Sequence, residues 1–172
     1  MEKKTMSSLT AALILLLINI AFTCIVAFGK LYANSALTWL SYIIVVAAIA
    51  YFVVKYGKDK DDNVTFGNLF GYGFKITAFL ILFYCLFMVI LYTIFPEFKE
   101  QVVEIMKTKA MEGKSGQDAA EIQKGLDMMI KMFWVWMIGG ILFIFGLCGG
   151  IGALIGAGIA KKNPRVYHED SL

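Results

Sequence analysis

The chain has 172 residues with a formal charge of +3, and 59% of it is apolar, against about 45–50% in ordinary soluble domains. That length suits one domain, and so small a charge, with no clusters of basic and exposed aromatic residues, excludes a nucleic-acid partner. The apolar excess falls in four blocks that are apolar on every side, a pattern that suits a bilayer and not a soluble core with its one-sided helices.

A helix rises about 1.5 Å per residue, so a hydrocarbon core of about 30 Å needs about 20 apolar residues. The first block, 9–28, meets that length. Lys3 and Lys4 precede it, but the block is longer than a signal-peptide core and no A-x-A site follows, so it is expected to stay as a span. Cys24 follows Phe22 and Thr23, where a lipoprotein site wants small residues. Asn19 and Thr23 lie four apart on one face of this span, and an interhelical hydrogen bond is their expected use, with contact to a polar substrate as the alternative.

A short turn over 29–36 leads to the second block, 37–54, and predicts an antiparallel hairpin between the two. The connection 55–75 divides into a charged turn over 57–62 and a new helix. Thr65 stands where its hydroxyl can cap that helix. Phe66, Leu69, Phe70 and Phe74 give it an apolar side, so it lies at the membrane surface or extends the third span, 76–95.

The long connection 96–132 is the one sizeable polar part. Pro96 suits the first residue of a helix, where its missing N–H is harmless. Phe98, Val102, Ile105 and Met106 follow at helical spacing, residues 113–116 break the pattern, and Ser115 with Asp118 resembles a capping box. Ile122, Leu126, Met129, Ile130 and Phe133 form the next stripe. An extramembrane helical hairpin is predicted, its stripes facing each other or resting on the membrane.

The fourth block, 133–160, is longer than a perpendicular span needs, so Trp134 and Trp136 are placed at the interface and the rest tilts. It carries two small-residue ladders at spacing four, Gly152–Gly156–Ala160 and Gly149–Ala153–Ala157. Such spacing lets two backbones approach closely. Two uses stay open for these residues: an oligomer contact, or close packing inside the four-helix bundle. Gly67 and Gly71 repeat the spacing near the third span.

The fold class is therefore all-α: a polytopic membrane protein, one domain over 1–172, with four transmembrane helices and an extramembrane helical hairpin between spans three and four. Lys3, Lys4, Lys55, Lys58, Lys60, Lys75, Lys161, Lys162 and Arg165 fall on one side, against Lys30 alone in the short opposite turn. The long connection 96–132, on that opposite side, holds six lysines but seven acidic residues and counts for less. Both termini are thus expected in the cytoplasm, and Trp39, Trp134 and Trp136 then form an aromatic belt at the outer interface.

No Asp, Glu, Lys, Arg or His lies well inside a span. Proton relays and intramembrane proteases need such groups. His168 is the single histidine and lies in the C-terminal tail, so neither a histidine triad nor a histidine metal cluster is available. No phosphate-binding loop of Walker type occurs. Cys24, Cys85 and Cys148 lack metal-ligand spacing and are expected to pack as small apolar residues. No catalytic, metal or cofactor site is expected. The remaining polar groups within spans are Ser41, Thr77, Tyr84 and Thr93, besides Asn19 and Thr23.

The run Val64-Thr65-Phe66-Gly67-Asn68-Leu69-Phe70-Gly71-Tyr72-Gly73-Phe74 resembles a recurring pattern in a bacterial family of four-span membrane proteins known as a domain of unknown function. The Phe95-Pro96-Glu97 step and the long helical loop before a Gly-rich last span are similar to it as well. The resemblance covers essentially the whole chain. It implies a four-helix protein of the bacterial inner membrane and brings no catalytic residues. The functional expectation is a non-enzymatic packing or accessory module in contact with membrane lipid, which self-associates as a homo-oligomer or binds another membrane protein. The alternative is a small oligomeric channel or permease. An enzyme acting on lipids through Lys58, Asp61 or Asp62 is a third and weaker reading.

Overall fold

The computed structural model describes residues 5–112 and 117–161, and among them the chain forms six helices and no strands. These are α1 (Ser8–Phe28), α2 (Ser35–Asp59), α3 (Phe66–Ile94), α4 (Pro96–Met111), α5 (Gln117–Lys131) and α6 (Phe133–Ile159). Four of them, α1, α2, α3 and α6, are long and apolar enough to cross a membrane. The protein is a multi-pass membrane protein.

Local signals explain the ends. Ser7 caps α1 by accepting from the Thr10 amide, and Asn34 caps α2 by accepting from the Ala36 amide. Thr65 caps α3 by accepting from the Asn68 amide at 3.3 Å, and α3 then runs unbroken into the third span. The predicted helix after Thr65 is therefore an extension of that span. The charged turn is shorter than predicted. Gly57 is still helical and buried, its α-carbon side facing Leu69 and Ala160, and the chain reverses only at 60–62, where Asp61 and Asp62 take left-handed backbone angles. Aspartate tolerates that region better than most residues. Pro96 stands first in α4 as expected. The pattern break at 113–116, with the Ser115 cap, lies outside the described residues.

The four spans place both ends of the described chain at one end of the bundle, the terminal end, and α4 and α5 at the other, the hairpin end. Trp39, Trp134 and Trp136 all sit at the hairpin end. α6 packs against α2, running parallel to it, and against α3, running antiparallel. α1 rests chiefly on α3 and touches α2 lightly, although a six-residue turn joins them. The predicted antiparallel α1–α2 hairpin is present, but its two helices contact each other less than each contacts α3.

The main core lies toward the terminal end, where Leu15, Val45, Ile49, Val53, Ile76 and Leu80 are fully enclosed. A second cluster, Ala27, Met88, Leu91, Tyr92, Phe98 and Phe133, ties α4 to the bundle at the hairpin end. The apolar stripes of α4 and α5 face each other: Val102, Val103 and Met106 oppose Leu126, Met129 and Ile130 across a small cavity of about 210 Å³. Lys99 on α4 lies 5.1 Å above the Phe133 ring and 5.5 Å above the Trp134 ring, a cation–π tie to α6. Leu17, Ile25, Leu82, Phe143 and Ile159 point outward at span depth, as lipid-facing side chains do.

Candidate functional site

Two features of the bundle have the shape of a site: the glycine-rich surface of α6 and a cavity among the spans at the hairpin end.

The predicted ladder on α6 is used inside the chain. A Cβ at Gly149 would collide with Thr77 of α3. One at Gly152 would meet the Val46 carbonyl oxygen of α2 at 2.7 Å, and one at Gly156 would meet the Ala50 carbonyl oxygen at 2.8 Å. Ala153 and Ala157 are fully buried, and Ala160 nearly so. The structure thus brings Gly149, Gly152, Ala153, Gly156, Ala157 and Ala160 together as the internal seam against α2 and α3. Close backbone approach makes dispersion contacts that lipid tails do not match.

Gly73 belongs to that seam and was not among the sequence candidates. A Cβ there would stand 2.6 Å from the Ala153 Cβ. Gly73 and Thr77 are themselves four apart, so α3 offers its own small-residue pair, Gly73 opposite Ala153 and Thr77 opposite Gly149. That spacing was the available signal. Gly67 and Gly71 are looser: Gly67 has only the Thr65 hydroxyl nearby, and Gly71 has nothing within 4 Å.

The other glycines of α6 are open. Gly139, Gly146 and Gly150 recur at intervals of seven and four, hence on one face, and a Cβ at any of them meets nothing within 4 Å. Of these three, Gly146 lines a groove of about 550 Å³ between α3 and α6, together with Thr77, Ala78, Cys85 and Leu142 among others. Cys85 is a free thiol there, as Cys24 and Cys148 are elsewhere.

The cavity at the hairpin end is about 330 Å³ and partly open. Residues of α1, the α1–α2 turn, α2, α3 and α6 form its walls. Asn19 and Thr23 both line it, together with Tyr32, Ser41 and Tyr84. Asn19 is 4% exposed. Its amide nitrogen donates to the Leu15 carbonyl at 2.9 Å, within its own helix, so the predicted interhelical bond is not made by Asn19. Thr23 makes it instead: its hydroxyl and that of Tyr84 on α3 are 2.9 Å apart. Ser41 donates to the Thr38 carbonyl in its own helix. Thr77 and Thr93 likewise donate to the carbonyls of Gly73 and Val89 in α3, and Thr93 faces outward.

Tyr32, in the α1–α2 turn, sets its hydroxyl in the cavity wall, enclosed and without a hydrogen-bond partner. Burial pushes its phenol up to about 12. The neighbouring Tyr92 hydroxyl offsets this rise only in part. None of the described residues that line the cavity is Asp, Glu, Lys, Arg or His. Among the described residues, no group of His, Cys, Asp and Glu is assembled as a metal site.

No curated protein and no solved structure is detectably similar to the chain. A family match covers residues 10–162, which takes in all four spans but for the first two residues of α1, and the internal seam and the cavity. The chain belongs to the family described as "Protein of unknown function (DUF4199)".

Proposed function

We propose that the chain is a non-enzymatic packing or accessory module of the bacterial inner membrane, with both termini in the cytoplasm. It associates laterally with a second copy of itself or with another membrane protein through the α3–α6 groove. The observation that carries this reading is the open glycine face of Gly139, Gly146 and Gly150, of which Gly146 lines a groove that none of the described helices fills. Lipid tails are as apolar as leucine, so a partner helix gains over lipid only where backbones come close, and glycines permit that. The association surface differs from the ladder expected from sequence, because that ladder packs inside the bundle. The lysine and arginine distribution supports the orientation.

Cys85 makes the reading testable in native membranes. In a chain carrying Cys24→Ser and Cys148→Ser, a bismaleimide is expected to join Cys85 to its neighbour across the groove. A product at twice the chain mass supports self-association, and one of fixed larger mass identifies a different partner by mass spectrometry. Gly146→Leu with Gly150→Leu is expected to abolish the product, whereas Gly158→Leu, at an exposed position with open space around it, leaves it. A product that survives the double substitution sinks the proposal.

The second reading, a small oligomeric channel or permease, draws on the partly polar cavity between the spans. Its test is solute flux in reconstituted vesicles, with Gly140→Leu expected to block any path through the cavity.

A further inference from the structure

The cavity at the hairpin end has a specific polar inventory. Asn19 commits its amide nitrogen to the Leu15 carbonyl, which leaves the side-chain oxygen as an acceptor at the cavity wall. Thr23 and Tyr84 share one hydrogen bond between two hydroxyls. Each hydroxyl brings one proton, so whichever donates, the other O–H is left over. Tyr32 adds a further unpartnered hydroxyl in the wall. Asn34, Thr38 and Ser41 also line it but bond within their own segment. Tyr42 adds its ring and hydroxyl, and the remaining lining is apolar, including Phe22, Val26, Met88, Ile141 and Phe145. The site therefore offers one spare acceptor and at least one spare donor in apolar surroundings.

Charge narrows the ligand. With no ionisable acid or base in the lining, a phosphate or ammonium group would lose its hydration and gain no counter-charge, which is strongly unfavourable. A plain hydrocarbon chain would leave the spare donor and acceptor unsatisfied. A fitting occupant is uncharged, both donates and accepts a hydrogen bond, as the hydroxyl and ester carbonyl of a neutral glyceride do, and reaches this depth from the bilayer. The volume of about 330 Å³ falls at the small end of ligand sites, about 300–1,000 Å³, so only part of a lipid fits. α1 leans on α3 and touches α2 lightly, and the cavity between them is partly open.

We infer that this cavity binds a diacylglycerol-type neutral glyceride, with its glycerol and ester groups inside and its acyl chains left in the bilayer. The free glyceride hydroxyl donates to Asn19 Oδ1. An ester carbonyl accepts the spare O–H of the Thr23–Tyr84 pair.

The test uses the full chain in phosphatidylcholine nanodiscs containing dioleoylglycerol with a photoactivatable diazirine near the ester. Labelling is expected on peptides covering residues 19–26 and 136–145. Asn19→Leu is expected to reduce it about tenfold, which corresponds to one hydrogen bond of about 1.4 kcal/mol. Gly140→Leu is the second variant. Gly140 lines the cavity, and a Cβ there meets nothing within 4 Å, so a leucine is expected to keep the helix while it fills the volume, and labelling should vanish. Gly158→Leu should label like the parent. Equal labelling of the parent and Gly140→Leu overturns the site. Equal labelling of the cavity peptides by diazirine-tagged phosphatidylcholine overturns the ligand class.

Discussion

The Tyr32 hydroxyl is enclosed without a partner, and a buried donor left unmade costs about 1–3 kcal/mol. Tyr32→Phe removes the group and keeps the ring, so the lipid-free protein is expected to be as stable as the parent or up to about 1 kcal/mol more stable in thermal unfolding. The same residue gives a pH dependence. Burial raises its phenol to about 12 in the folded chain, from about 10 when unfolded. The folded chain thus holds that proton more tightly. Its contribution is fully present below pH 10 and is lost as pH rises through 12. Alkaline unfolding midpoints compared between the parent and Tyr32→Phe should show the variant losing less stability across that interval. At this scale the sequence was partly legible. Asn19 and Thr23 stood out as polar residues on one apolar helix face, and both reach the cavity. Tyr84 was already named among the polar groups within spans, but its partnership with Thr23 was not, and Tyr32 did not stand out, because only the packing of α1 on α3 brings these four together.

α6 carries two sets of glycines with opposite consequences. On the seam, Gly149→Ala and Gly152→Ala drive a methyl into Thr77 or into the Val46 carbonyl, and each is expected to destabilise by about 1–3 kcal/mol. On the open face, Gly139→Ala meets nothing and is expected to be neutral, or stabilising by up to about 1 kcal/mol through helix propensity. Unfolding of the three variants in one detergent decides the matter, and equal losses at all three would refute the division into two faces. Spacing of four announced that α6 would pack closely, but it carries no information on which neighbour fills each gap. The α4–α5 pair was more legible, since its stripes at helical spacing had few places to go except onto each other. Its anchor is Phe98, buried and edge-on to Phe28 at 5.2 Å. Phe98→Ala should speed hydrogen exchange in α4 and α5 and leave α6 protected. Protection unchanged in α4 would mean that the Lys99 tie alone holds the pair.

At the scale of the whole molecule, the four spans were legible because a bilayer demands long runs of apolar residues and the chain supplies four. Their neighbour relations were not. A short turn suggests that α1 and α2 pack together, yet α2 finds its larger surface on α6 and α1 finds its own on α3. The orientation proposed from the lysines has a direct check. In a chain with its native cysteines replaced by serine, Gln123→Cys on α5 should react with a membrane-impermeant maleimide added to intact cells, and Lys58→Cys on α2 only after lysis; the reverse pattern would invert the topology. The separation of α2 from α6 in the sequence also bears on how the chain is made. During synthesis α2 enters the bilayer well before its principal partner leaves the ribosome, with α3, α4 and α5 emerging in between. Over that interval the backbone surface of α2 around Val46 and Ala50, shaped to receive Gly152 and Gly156, faces lipid or whatever insertion factor stands nearby. A chain stalled or cut before α6 would keep that surface bare, marking it for membrane quality control, and completion of the last helix would be the event that conceals the mark.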